Sequence, residues 1–172
     1  MTPHLTVRDA TAADAAGCAA IYAPFVTGTA VTFETVPPDA AEMAGRIAAA
    51  QQRHAWLVAE EAGVLLGYAY AGAYRPRAAY SRTAETSIYL APAAAGRGVG
   101  RTLYAALLQR LRDLGYGTAV GGLTPPNPAS AALHAALGFE RVGSFTRVGR
   151  KFRRWHGCDW WELALRDDVE EP

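Results

Sequence analysis

Residues 95–100, Ala-Gly-Arg-Gly-Val-Gly, run directly into a leucine-rich segment, and this junction constrains the fold more than any other stretch of the chain. Glycine turns the backbone sharply and lets a ligand approach it closely. Leu103, Leu107, Leu111 and Leu114 follow at helical spacing and Gly115 marks the stop, so Arg101–Leu114 reads as a helix facing a core. The head of such a helix offers free N–H groups and the positive end of its dipole, a setting for a diphosphate. Arg97 and Arg101 add guanidinium donors. Upstream, Thr83–Leu90 alternates as a strand does, with Thr86, Ile88 and Leu90 on one face and Glu85, Ser87 and Tyr89 on the other.

A glycine loop alone is a weak signal. A P-loop needs Lys before its Ser/Thr, whereas Arg101-Thr102 follows Gly100 here. A dinucleotide fold places its glycines after the first strand, and these come far later. Coenzyme A at the loop, and a turn that binds nothing, stay open on this evidence.

The rest of the chain supplies the frame. Leu5–Arg8 reads as a strand, and Thr11 with Asp14 as a helix start, followed by Cys18, Ile21, Tyr22 and Phe25 on one face. Val26–Pro38 reads as irregular. Pro37-Pro38-Asp39 opens a second helix with Met43, Ile47 and Ala50 inward. Ala55–Glu60 and Val64–Ala71 form a hairpin about Ala62-Gly63, and Arg75–Arg82 is a loop. Thr118–Leu123 is a strand and Ala129–Leu137 a short helix. Phe139–Leu165 makes two strands joined near Lys151–His156. The order β-α-α-β-β-β-α-β-α-β-β predicts a mixed α/β (α+β) fold, not a doubly wound one.

The 172 residues fit a single domain over 1–172, and a net charge of +1 with 51% hydrophobic residues points to neither nucleic acid nor a membrane surface. No apolar run reaches the about 20 residues of a membrane span, and the N-terminus carries no charged-then-apolar leader. Cys18 and Cys158 read as reduced thiols. A cytoplasmic protein is the expectation.

Several motifs agree in order and spacing with one family. They are Thr32-Phe33, Trp56–Glu60, Gly67–Gly72, Arg77–Tyr80, Glu85–Leu90, Gly98–Tyr104, Asn127-Pro128, Leu133–Phe139, and Lys151 with Trp155-His156. On these the chain resembles the phosphinothricin acetyltransferase family of the GNAT superfamily over about residues 5–165. The resemblance implies a GNAT fold, with a central mixed, mostly antiparallel sheet flanked by helices. It implies acetyl-CoA as cosubstrate, no metal, a small-molecule amine as acceptor and a homodimer. Backbone groups of Ile88, Tyr89 and Leu90 would pair with the pantetheine arm and the acetyl carbonyl. Gly96, Arg97, Gly98, Val99, Gly100 and Arg101 would cradle the pyrophosphate, and Asn127 would touch the coenzyme. Phe33, Arg77 and Tyr80 would shape the acceptor pocket. Arg75 shares a loop with Arg77 and Tyr80, and the three could hold a substrate carboxylate or phosphinate; a solvated loop is the alternative. Ala95 departs from the superfamily's Gln or Arg, which implies weaker coenzyme binding.

Acetyl transfer needs a base for the amine, donors for the developing oxyanion and a tolerated thiolate. Glu85 matches the family's general base; the structural alternative is an ion pair with Arg82 or Arg77. His134 stands where many GNAT enzymes place a thiolate-protonating Tyr; the alternative is a packed histidine between Ala131 and Gly138. Trp161 and Leu163 share a strand face and read as core. An acceptor that is an L-amino acid analogue (phosphinothricin, methionine sulfoximine or methionine sulfone) fits the resemblance. A peptide N-terminus as acceptor and a non-catalytic acetyl-CoA sensor are the alternatives.

Overall fold

Trp56, Leu57, Val58 and Ala59 are all buried, although successive strand residues point to opposite faces. Such a strand must be covered on both sides. The computed structural model, which describes residues 4–167, places it inside a seven-stranded sheet with helices on either face. Residues 1–3 and 168–172, part of the expected 1–172 domain, lie outside the described residues.

The strands are β1 (Leu5–Asp9), β2 (Trp56–Glu61), β3 (Val64–Ala73), β4 (Thr83–Leu90), β5 (Thr118–Leu123), β6 (Glu140–Lys151) and β7 (Arg154–Ala164). Their order across the sheet is β1-β2-β3-β4-β5-β7-β6. Every neighbouring pair is antiparallel except β4–β5. The helices are α1 (Ala15–Gly28), α2 (Ala40–Gln51), α3 (Val99–Asp113) and α4 (Pro128–Ala136). This is the expected mixed α/β architecture and element order.

One face of β2 and β3, through Leu57, Ala59, Leu66 and Ala69, packs on Leu103, Tyr104, Leu107 and Leu111 of α3. The other face, through Trp56, Val58 and Tyr68, packs on Cys18, Tyr22 and Val26 of α1 and Met43 and Ile47 of α2. The leucine stripe of α3 is therefore core, with one correction: Leu114 is 43% exposed. There the helix closes as Tyr116 N–H reaches back to Leu111 C=O at 3.0 Å and Gly115 takes φ of 82°, which turns Leu114 outward. A second correction concerns Val26–Pro38. The helix runs through Pro24 to Gly28, because Val26, 1% exposed, gains enough from the core to hold the last turn.

At the other end of α1 the expected capping pair is present. Thr11 N–H donates to Asp14 Oδ2 at 2.7 Å, and Arg8 clamps both Asp14 oxygens at 2.8 and 2.9 Å. The Arg8 bonds, offset in part by burial, hold the Asp14 carboxyl down at about 2. Asp39 caps α2 by accepting from Glu42 N–H at 2.8 Å. Cys18 and Cys158 are free thiols. Trp161 and Leu163 pack against the α3 core as expected, whereas Trp155 is 48% exposed.

Candidate active site

Parallel pairing between β4 and β5 covers only Thr83↔Thr118, Ala84↔Ala119 and Glu85↔Val120. Beyond Glu85 the two strands part. Ser87, Ile88 and Tyr89 then face Gly122, Leu123 and Asn127 across a cleft of about 380 Å³. The β5-facing edge of β4 there has no strand partner, so its backbone groups can pair with an extended ligand, as strand pairs with strand.

A second groove of about 1250 Å³ begins at Leu90 and runs between Phe25 of α1 and Leu133 of α4, past Gly96, Gly98 and Arg101. Gly96 and Gly98 have φ of 70° and 74°, the left-handed region that glycine adopts freely. The first bond of α3 runs from Thr102 N–H to Gly98 C=O at 3.1 Å. The N–H groups of Gly98, Val99, Gly100 and Arg101 thus have no acceptor within the helix. Gly100 is held by a close approach: a Cβ there would lie 2.9 Å from Leu90 Cδ1. The first cavity reaches Tyr89 and the second begins at the next residue, Leu90, so a long ligand can run from the helix head along the parted edge of β4.

The residues anticipated for the loop differ in what they offer. Val99 is buried in the core and contributes backbone only. The Arg97 guanidinium turns away from the groove: it donates to Glu61 at 2.6 and 2.8 Å and to Ala93 C=O at 3.3 Å. That engagement runs against the expectation of a phosphate-directed Arg97 side chain; Arg101 lines the groove instead. Asn127 is the N-cap of α4, where its Oδ1 accepts from Ser130 N–H at 3.2 Å, which leaves its amide donors to the cleft.

Glu85 is half-buried at the point of parting, between Gly72 of β3 and Val120 of β5. Among the described residues it has no ion pair, so the alternative of a bridge to Arg82 or Arg77 is not realised. Burial pushes its carboxyl above the usual value, and the field of Arg75 opposes this. Above Gly72 the space is open: a Cβ there would meet nothing within 4 Å.

Arg75, Arg77 and Tyr80 share one cleft of about 970 Å³ together with Arg53 and His54 from the end of α2. Arg75 lies over the Tyr74 ring at 5.0 Å, and Tyr74 in turn meets Tyr80 at 5.5 Å and Trp160 at 5.9 Å. Phe33 is brought elsewhere: it covers Gly149 and stands 6.3 Å from the His156 ring, at the tip of the β6–β7 hairpin.

His134 is 3% exposed. Its Nδ1 donates to Ser130 C=O at 2.8 Å and its Nε2 lies 3.0 Å from Tyr104 Oη. Burial pushes its pKa down, with the Ser130 bond opposing. Tyr104, Thr86, Arg53 and Tyr74 escaped the sequence reading as site residues. Tyr104 had one available signal, a lone hydroxyl tip within the buried stripe of a leucine-rich helix.

A strand that parts from its parallel neighbour beside a half-buried carboxylate, with a glycine-led helix head next to the gap, matches one group of proteins. The chain belongs to the acetyltransferase (GNAT) family, whose model matches residues 16–139. It is 48% identical over 153 residues to the phosphinothricin N-acetyltransferase of Alcaligenes faecalis, covering 87% of this chain and 77% of that one. It is 38% identical to the L-methionine sulfoximine/L-methionine sulfone acetyltransferase of Pseudomonas aeruginosa PAO1, covering 97% and 98%. The phosphinothricin acetyltransferase of Sinorhizobium meliloti, solved in complex with acetyl-CoA, superposes with a TM-score of 0.88 at 40% identity, over 96% of this chain and 89% of that one.

Proposed function

We propose that the protein moves an acetyl group from acetyl-CoA to the amino group of a small L-amino acid analogue of the phosphinothricin, methionine sulfoximine or methionine sulfone type. The observation that carries this reading is the parting of β4 from β5 at Glu85. It opens backbone groups to a thioester beside a half-buried carboxylate.

The mechanism follows from the residues. The N–H groups of Gly98, Val99, Gly100 and Arg101 hold the pyrophosphate, aided by the Arg101 guanidinium and the helix dipole. The freed edge of Ile88, Tyr89 and Leu90 aligns the pantetheine arm, and an N–H of Tyr89 or Leu90 stabilises the oxyanion. Glu85 takes a proton from the incoming ammonium, directly or through water; its burial brings its basicity closer to that of the amine. Arg75 and Arg77 hold the acceptor's acid group, since a guanidinium matches a carboxylate or phosphinate with two parallel bonds. Tyr74, Tyr80 and Trp160 form an aromatic wall beside it.

The β6 strand exposes Val142 at 60%, Phe145 at 54% and Val148 at 48% along the sheet edge, which supports a homodimer formed through this hairpin. Free thiols and a single catalytic domain acting in the cytoplasm complete the reading.

The deciding experiment follows thiol release from acetyl-CoA with and without an amine panel. Methionine sulfone or phosphinothricin should accelerate release by orders of magnitude over the amine-free rate. Acetyl-CoA binding with no turnover on any amine would replace the enzyme reading with that of a sensor.

A further inference from the structure

The aromatic side chains on one face of β3 form a ladder with a rung left out. Tyr68, Tyr70 and Gly72 alternate onto the face that looks toward α1 and α2, and Tyr74 follows just past the strand end. Trp56 of β2 stacks on Tyr70 at 4.3 Å and on Tyr68 at 5.2 Å, with ring planes 14° and 9° from parallel. Tyr74 turns to Trp160 of β7 at 5.9 Å. Gly72 stands between the two groups with no side chain. Its backbone is not in the left-handed region, and a Cβ there would meet nothing within 4 Å. Neither conformation nor crowding therefore asks for glycine at this position.

The vacancy opens into a recess of about 690 Å³ between β3 and α2, walled by Ala49, Trp56 and Tyr70. Arg46 and His54 border it too. The Arg46 guanidinium is already matched, by Glu34 at 2.6 and 2.9 Å and by Glu42. Burial holds His54 toward its neutral form, and the charge of Arg53 acts the same way. The recess thus offers flat apolar surface without a free cation. Arg75 and Arg77 line the adjoining cleft, which shares His54 and Ala73 with the recess. Glu85 is paired directly opposite Gly72. The Cβ positions of such a pair lie about 5 Å apart on one face of the sheet. A group over Gly72 is therefore an immediate neighbour of the Glu85 side chain.

We propose that the recess receives the acceptor's side chain, and that an aromatic ring fits it as the rung missing at Gly72. The substrate class is an L-amino acid with an aromatic side chain. The proposal rests on the acetyl-transfer reading above and extends its acceptor range. With the ring over Gly72 and against Tyr70, the amino group falls beside Glu85 and the carboxylate toward Arg75 and Arg77. A planar ring gains apolar burial there, and the stacking that Trp56 already shows with Tyr70. An anionic tail gains neither, and would leave its hydration behind with no free cation to meet it.

Steady-state rates with saturating acetyl-CoA and varied L-phenylalanine, L-leucine, L-alanine or L-glutamate test the assignment. In the wild type, kcat/KM for phenylalanine should exceed that for alanine by on the order of 10- to 100-fold, the range over which a hydrophobic pocket discriminates. Glutamate should fall below leucine. Gly72→Val puts a side chain into the vacancy; valine suits a strand, and the open space admits it. The phenylalanine-to-alanine ratio should then fall toward unity, through a raised KM for phenylalanine. Ala49→Phe narrows the recess from the exposed side of α2. It should lower the same ratio, which keeps the test decisive should Gly72→Val fold poorly. A wild type that prefers glutamate, or that acetylates methionine sulfone while treating phenylalanine like alanine, would overturn the aromatic recess and leave acetyl transfer standing. So would an unchanged ratio in both variants. A wild type that acetylates no amine would overturn acetyl transfer itself, and this acceptor class with it.

Discussion

At the residue scale, the proposed role of Glu85 as the base carries the most chemical weight. In that role it works only when deprotonated, and burial raises its pKa above 4.5. Turnover should therefore fall as the pH drops through that raised value, and Glu85→Gln should abolish the acidic limb while lowering kcat by roughly 10²- to 10⁴-fold. Steady-state kinetics across pH checks both, and equal turnover in the variant removes Glu85 from the mechanism. Stability should move the other way. A carboxyl whose folded pKa is raised supports the fold most fully below its unfolded value, and that support is lost as the pH rises through the folded one. Glu85→Gln should therefore melt higher than wild type near neutrality, with the gap closing below pH 4.5. The family resemblance singled out Glu85 in the sequence, and strand alternation added the face its side chain takes, because position along a strand fixes that face. Tyr104 was not legible as a site residue. Its hydroxyl meets Thr86 of β4 and His134 of α4, contacts 18 and 30 residues away along the chain.

At the element scale, the helix starts repay the sequence with the clearest physics. Asp14 joins the Thr11 turn to Arg8, and its carboxyl sits at about 2. Because that value is depressed, its contribution is present above the ordinary carboxylate range and lost as the pH falls toward about 2. Asp14→Ala should cost about 1 kcal/mol at neutral pH, with the difference from wild type shrinking in acid; urea melts at pH 7 and pH 2.5 check it. At the glycine loop, Gly98 starts α3 with φ of 74°. Gly98→Ala should bring strain of about 1 kcal/mol and turn N–H groups away from the anion, so acetyl-CoA affinity measured by calorimetry should weaken while the free protein stays folded. The glycines announced this site because few side chains tolerate that backbone. The partnership of Arg97 with Glu61 was invisible, since it joins residues 36 apart on separate strands and loops. The extension of α1 past Pro24 was hidden likewise, because burial of Val26 outweighed a local breaker.

At the scale of the whole molecule, the element order was readable, yet the sheet order was not. Nothing in the alternation of β7 says that it lies between β5 and β6 rather than outside them. That placement leaves β6 as an exposed edge carrying Val142, Phe145 and Val148, a surface that invites pairing with another chain. Sedimentation should report a dimer for the wild type, and Phe145→Glu should shift it toward monomer without altering the circular dichroism. The β4–β5 seam has a further effect. It consists of three residue pairs, against six between β5 and β7, so the sheet is nearly two panels sharing a short hinge. A thioester laid in the gap is a splint across that hinge. Loading should slow amide exchange on both banks together, in residues 86–90 and 121–123, and product departure should hand the molecule back its freedom to breathe.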